Sequence, residues 1–284
     1  MATLHRNLQL LAETRRALEA LAGAGVEVIL LKGIHLVDAV YGHPGQRPMS
    51  DVDLMVLPEK AMPALTALRR LGYDAAEETA LRGLRRDGEM RLTLHGVHSL
   101  VIEAHTTLNR RTRHQWFDVE SLWERSVPYE LDGVGARALS WPDTLVYLCA
   151  HAVPHAFSQV IWLRDIAAVA GKVGEEAAWD RVVAAAGASR ARRATAAGLH
   201  LARLLLGAEV PERVFADLRG RPPGAGYRLA GGSIGRGRYS TLASLWCRVW
   251  LADSAWDAAA QLKGVVAAKV PRPGTGSWVT KGGA

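Results

Sequence analysis

The segment RPMSDVDLMV, Arg47 to Val56, opens with turn-forming residues and closes on an apolar run that stops at Pro58. Side chains alternate along a strand, so Asp51 and Asp53 lie on one face while Val52 and Leu54 point to the other. A surface turn would also explain an Asp-x-Asp pair. Leu54, Met55, Val56 and Leu57 follow directly, however, so these acids begin a core strand. Two neighbouring ionised carboxylates repel one another in a dry site, and a positive charge is needed between them. Mg²⁺, or Mn²⁺ in its place, suits that position because it accepts one or two carboxylates together with substrate phosphate oxygens.

A third carboxylate lies downstream. In HSLVIEAHTTL, Glu103 follows Leu100, Val101 and Ile102, and His105 stands two positions later on the same face. Buried without a partner, Glu103 would be forced neutral or bear a desolvation penalty of several kcal/mol. Beside Asp51 and Asp53 it would share their metal; on an edge strand it would face water. Upstream, LLKG (Leu30 to Gly33) ends one strand-like run and begins a helical one. Gly33 permits close backbone approach, the helix start offers unpaired N–H groups and Lys32 adds a charge, which together make a phosphate cradle. Arg47 and Ser50 occupy the loop before the acid pair. Arg47 can neutralise phosphate charge or act as a structural bridge, and the sequence leaves both open.

Around these motifs the first half alternates in character. VEVILL (26–31) and DVDLMVL (51–57) read as core strands, with a short helical segment IHLVDAVYG between them. PEKAMPALTALRRLG reads as a helix that starts at Pro58 and stops at Gly72, and MRLTLHG with HSLVIEAHTTL as two strands joined around Gly96. From Trp141 onward, WPDTLVYLCAHAVPHAF, IWLRDIAAVAGKV and ASRARRATAAGLHLARLLLG carry apolar residues at helical spacing. A Gly/Pro/Arg-rich loop at 220–238, a last helix at 239–262 and an irregular tail complete the chain. The expected fold is α+β: residues 1–140 form a small mixed sheet with flanking helices, and 141–284 an α-helical bundle that walls one side of a cleft.

The composition excludes several classes. Of 284 residues, 49% are apolar, enough to bury two cores, so whole-chain disorder is out. The two cysteines, Cys149 and Cys247, form no C-x-x-C pair, which argues against a disulfide framework or thiolate zinc site and for a reducing, cytoplasmic setting. The N-terminal segment is charged through its middle and reads as an amphipathic helix, and no apolar run is long enough to span a bilayer. With 35 Lys and Arg against 28 Asp and Glu the chain carries a formal charge of +7, spread over scattered arginine pairs. A nucleic-acid partner is therefore not expected, and the oligomeric state cannot be read.

The order LLKGIHLVDAVYG, RPMSDVDLMV, VIEAH and then a helical half containing WLRDIAAV resembles the nucleotidyltransferase fold of the DNA polymerase β superfamily. Within it, the combination is similar to the bacterial family of uncharacterised nucleotidyltransferases. The resemblance implies Asp51, Asp53 and Glu103 as metal ligands and catalytic residues, with Lys32, Gly33, Arg47 and Ser50 on the nucleotide side. It also implies in-line displacement at the α-phosphorus of an NTP, ATP among them, with pyrophosphate leaving and two Mg²⁺ ions assisting. The acceptor would be a hydroxyl or phosphate of a small molecule or peptide, and the setting an accessory step of natural-product biosynthesis. Two rivals keep the fold: a non-catalytic nucleotide-binding or toxin-neutralising module, and an RNA-end nucleotidyltransferase. One departure is local, for Ile34 follows Gly33 where the superfamily commonly has Gly-Ser or Gly-Gly.

The remaining candidates read more plainly. His151 and His155 stand four apart, but no Glu follows the first and Pro154 lies between them, so packing at the interface of the two halves, with His151 toward the cleft, fits better than a zinc site. Arg164 and Asp165 read as ion-pairing groups that dock the helical half onto the sheet. Trp116, Trp123, Trp141, Trp162, Trp179, Trp246 and Trp250 read mostly as bundle core, with one or two left to stack on a base or acceptor, and Cys149 reads as core.

Overall fold

The computed structural model describes residues 2–74, 76–96, 99–108, 117–174, 176–219 and 241–269. The loop expected at 220–238, the tail 270–284 and Trp116 lie outside the described residues.

Six strands form one mixed sheet: β1 Ile29–Leu31, β2 Val52–Met55, β3 Glu89–Leu94, β4 Leu100–His105, β5 Val127–Leu131 and β6 Val134–Ala138, in the order β3-β4-β2-β1-β6-β5. β1 is antiparallel to β2 and parallel to β6, β2 is parallel to β4, and β3 and β4 form the expected antiparallel pair. The VEVILL run supplies only three strand residues, although Val26 and Val28 are buried as well. The β5–β6 hairpin was not expected. Its signal is Asp132-Gly133, both with left-handed φ (48° and 79°), the dipeptide that closes a tight hairpin.

Helices cover both faces. α1 Ala2–Gly23, α3 Ala61–Arg70 and α4 Glu77–Asp87 pack on one side, where Leu10, Leu18, Leu21, Leu65, Leu68 and Ala80 meet Leu30, Val52, Leu54, Met90, Leu92, Ile102 and Ala104. The opposite face offers Ile29, Leu31 and Met55 to α6 Trp141–Ala152, α7 Val160–Val173, α8 Glu176–Ala188 and α9 Arg192–Leu206. The alternation is that of a two-sided strand: odd-numbered residues of β2 face the helical bundle and even-numbered ones the α1 side. Short helices α2 Lys32–Leu36, α5 Val119–Arg125 and α10 Glu212–Asp217 complete the connections, and α2 runs on as a π-helical turn, Val37–Tyr41, ended by Gly42 at φ 64°.

The single last helix expected at 239–262 is two helices, Thr241–Trp250 and Ala255–Lys269. The chain breaks there because Asp253 turns away to accept the Arg192 and Arg193 backbone N–H groups at the start of α9, both at 2.9 Å, and Ser254 caps the next helix by accepting from the Asp257 N–H at 3.1 Å. Trp179 is buried and Cys149 fully so, as expected, but Trp250 is exposed. Among the described residues no helix is long and apolar enough to cross a membrane.

Candidate active site

β2 and β4 are neighbours in parallel register with Asp53 directly opposite Glu103 and Met55 opposite His105. That register gathers three odd-numbered polar residues on the bundle-facing side of the sheet. Ligand atoms of Asp53, Glu103 and His105 lie within 4.8 Å of one another. Asp51, one pleat before Asp53, is half-buried and lines the same cleft, with the Ser50 hydroxyl 3.0 Å from its carboxylate.

The charges in this cluster are already partly answered. Lys32, at the β1–α2 junction with φ at 39°, turns its Nζ to within 2.8 Å of Asp53 Oδ1, and His105 Nε2 stands 3.0 Å from the same oxygen. Glu103 pairs with Arg91, its cross-strand neighbour on β3, and Glu89 lies 3.6 Å from His105 Nδ1. Burial alone would raise the Asp53 carboxyl, but the Lys32 ammonium and the His105 imidazole hold it well below the usual carboxylate range. The same pairing outweighs burial at Lys32 and holds its ammonium above the ordinary lysine range. Glu103 moves the other way: burial, then the nearby carboxylates of Glu89, Asp53 and Asp51, raise it even with Arg91 beside it.

The cleft holds about 330 Å³ and is lined by Lys32, Gly33, Arg47, Ser50, Asp51, Asp53 and Glu103 from the sheet side. His151 at the end of α6 and His155 in the turn just beyond it, with Gln159, Ile161 and Trp162 entering α7, form the facing wall. Arg47 is a bridge: its Nε and Nη2 donate to Asp165 Oδ1 and Oδ2 at 2.9 and 2.7 Å, and Tyr41 Oη donates to Oδ1 at 2.8 Å. Asp165 is fully buried on α7, so this fork ties the loop before β2 to the bundle. Nη1 of Arg47 remains beside the Gly33 backbone, where an added Cβ would lie 2.9 Å from it. Arg164 takes no part; it is exposed, with its guanidinium over the Tyr41 ring at 5.5 Å.

The sequence-predicted residues Lys32, Gly33, Arg47, Ser50, Asp51, Asp53, Glu103 and His151 therefore meet in one cleft, with His105 behind Asp53 and Asp165 behind Arg47. Arg91, Glu89, His155 and Trp162 were not among them. Arg91 and Glu89 follow from the β3–β4 register alone, and Trp162, read as bundle core, is only half-buried and faces the cleft. A hard divalent cation fits the donor set. Three carboxylates, Asp51, Asp53 and Glu103, line the same cleft, and ligand atoms of two of them lie within 4.8 Å of each other and of His105.

Residues 2–207 match the model of a family described as uncharacterised nucleotidyltransferase. Among solved structures, the antibiotic-resistance factor ANT(2'')-Ia is similar at 14% identity with a TM-score of 0.43, covering 63% of this chain and 91% of that one. An antigenic nucleotidyltransferase-like protein from Paracoccidioides brasiliensis is similar at 11% identity with a TM-score of 0.41, covering 76% and 94%. No curated protein sequence matches the chain.

Proposed function

The chain belongs to the family of uncharacterised nucleotidyltransferases, and from that premise we propose that it transfers a nucleotidyl group from an NTP, with Mg²⁺ or Mn²⁺, to a hydroxyl or phosphate of a small-molecule or peptide acceptor. The observation that carries this reading is the in-register pair Asp53–Glu103, with Asp51 and the Lys32–Gly33 turn on the same cleft. In this reading Asp51, Asp53 and Glu103 hold the cation, which supplies charge neutralisation at the phosphates and acidifies the attacking hydroxyl. Lys32 and Ser50 receive phosphate oxygens, and Gly33 lets the backbone come close. Arg47, clamped by Asp165, keeps a fixed positive edge beside that turn without having to reorganise. The acceptor oxygen bonds to the α-phosphorus as the bond to pyrophosphate breaks. Its proton passes to Glu103, the acid taken in this reading to stand nearest the attacking oxygen.

The division into 1–140 and 141–284 belongs to the same proposal. One apolar core, made wholly of residues between Leu10 and Leu131, supports it. Two buried, unpaired cysteines support a reducing cytoplasmic setting, and an accessory biosynthetic step is the setting proposed.

The test is transfer of α-labelled nucleotide with Mg²⁺ to a panel of hydroxyl- and phosphate-bearing acceptors. The reading expects label in an acceptor and none with Asp53→Asn. A second reading, the non-catalytic nucleotide-binding module, draws on the Asp53 carboxylate being paired with Lys32 and His105 from within the fold. It expects NTP binding that survives Asp53→Asn and no transfer to any acceptor.

A further inference from the structure

The wall opposite the acids is built from rings. His155 and Trp162 have ring centroids 4.9 Å apart, His151 and Trp162 5.6 Å apart at an interplanar angle of 88°, and the two imidazoles 5.3 Å apart. All three are half-buried, and the wall they form contains no carboxylate.

The backbone that carries these rings is fixed at an energetic cost. Directly after His155, Ala156 and Phe157 both take left-handed φ, 48° and 51°, a conformation that non-glycine residues adopt reluctantly. The turn is held by the Phe157 N–H donating to the Ala152 carbonyl at 3.1 Å and the Ser158 N–H to that of His155 at 3.0 Å. From outside, the buried Ser244 hydroxyl donates to the Pro154 carbonyl at 2.6 Å. Such a turn returns the chain so that His155 and Trp162 share one wall. A turn made only to connect two helices needs no two successive residues in that region.

We propose that Trp162, His151 and His155 form the nucleobase subsite of the cleft: the base stacks on the Trp162 ring and its polar edge meets the imidazole nitrogens. This rests on the nucleotidyl-transfer reading. With the phosphates at Lys32, Gly33 and Ser50 and the reacting phosphorus over the acids, the nucleoside extends to the remaining wall, which is the aromatic one. A volume of about 330 Å³ is at the small end of ligand sites and leaves room for one nucleotide, so the acceptor enters from the open mouth. Every base has a π-face to offer an indole, and imidazoles both donate and accept, so stacking supplies affinity and the histidines supply choice among bases.

Binding of full-length protein to α,β-methylene analogues of the four NTPs, and to inorganic tripolyphosphate, tests this by calorimetry with Mg²⁺ present. Trp162→Leu should weaken every nucleotide analogue by about 10- to 100-fold and leave tripolyphosphate unchanged, while Trp162→Phe stays within about threefold of the parent. His151→Ala and His155→Ala should flatten the preference among bases, again with tripolyphosphate unchanged. Where Trp162→Leu does not fold, the His155→Ala comparison decides by the same split. Folded variants that bind nucleotides as the parent does, or lose nucleotide and tripolyphosphate equally, overturn the subsite while leaving nucleotidyl transfer standing. A parent protein that binds neither ligand overturns both.

Discussion

Arg47 and Asp165, 118 residues apart in sequence, meet in a two-bond buried ion pair that joins the loop ahead of the acid pair to the helix behind the ring wall. The contact links the two sides of the cleft, beside the apolar core in which Leu31, Leu36 and Met55 pack on the helical bundle. Of the two roles open to Arg47 from sequence, the bridge is the one its geometry fills, with only Nη1 left at the cleft.

Removing one partner of this pair leaves the other charged and unpaired in the core. Asp165→Asn should lower unfolding free energy by about 3–5 kcal/mol in denaturant titrations, and Arg47→Met combined with Asp165→Leu should recover much of the loss. A single-variant effect below about 1 kcal/mol would falsify the bridging role.

Gly33 abuts that clamp. A Cβ there would lie 2.9 Å from Arg47 Nη1 and 3.2 Å from Met49 Sδ, and Arg47 cannot swing aside while Asp165 holds its other two nitrogens. Gly33→Ala should destabilise by about 1–3 kcal/mol and weaken nucleotide binding, measured by denaturation and calorimetry. Undiminished affinity would mean that the turn does not contact phosphate.

The three acids should separate by stability although all abolish transfer. Asp51→Asn, half-exposed and bonded to Ser50, should alter unfolding by no more than about 0.5 kcal/mol. Asp53→Asn should destabilise, because it removes the buried partner of Lys32. Glu103→Gln should unfold at an equal or higher denaturant concentration, since the folded environment already disfavours its charged form. Parallel denaturation and label-transfer assays check all three, and a marked loss of stability in Glu103→Gln would contradict the crowding argument.

His35 provides a pH test away from the acids. Burial between Tyr129 and Trp141 lowers its imidazole from 6.5 to about 4, with Asp38 opposing the shift. Between those values the unfolded chain binds a proton that the folded chain refuses. Stability contributed by the neutral ring is therefore complete above pH 6.5 and lost as pH falls towards 4, by about 3 kcal/mol. His35→Phe should flatten the slope of unfolding free energy against pH in that window, and an unchanged slope would remove His35 as its source.

Gly198 on α9 gives a packing control. A Cβ at this position would stand 2.5 Å from Cys149 Sγ on α6. Gly198→Ala should destabilise by about 1–3 kcal/mol and Cys149→Ala should rescue it, with nucleotide affinity unchanged in the folded variants.

By itself, the sequence determined the elements whose signals are local. The run after Asp53 set β2, the 3.6-residue spacing set α6, α7 and α9, and period-two alternation put Asp51 and Asp53 on one face and Glu103 and His105 on one face. It also held the Asp132-Gly133 signal for the β5–β6 hairpin, which went unread because the flanking strands VPYEL and VGARA are short and weakly apolar. Only the tertiary structure decided the rest. Strand order and register place Asp53 opposite Glu103 and bring Arg91 and Glu89 to them, because hydrogen-bond pairing between strands is set by packing on both sheet faces and leaves no local mark. Likewise Trp162 has the spacing of a core residue. Its ring is half-buried and lines the cleft opposite Lys32, Gly33 and Arg47, a meeting of segments far apart in the chain that no local pattern records.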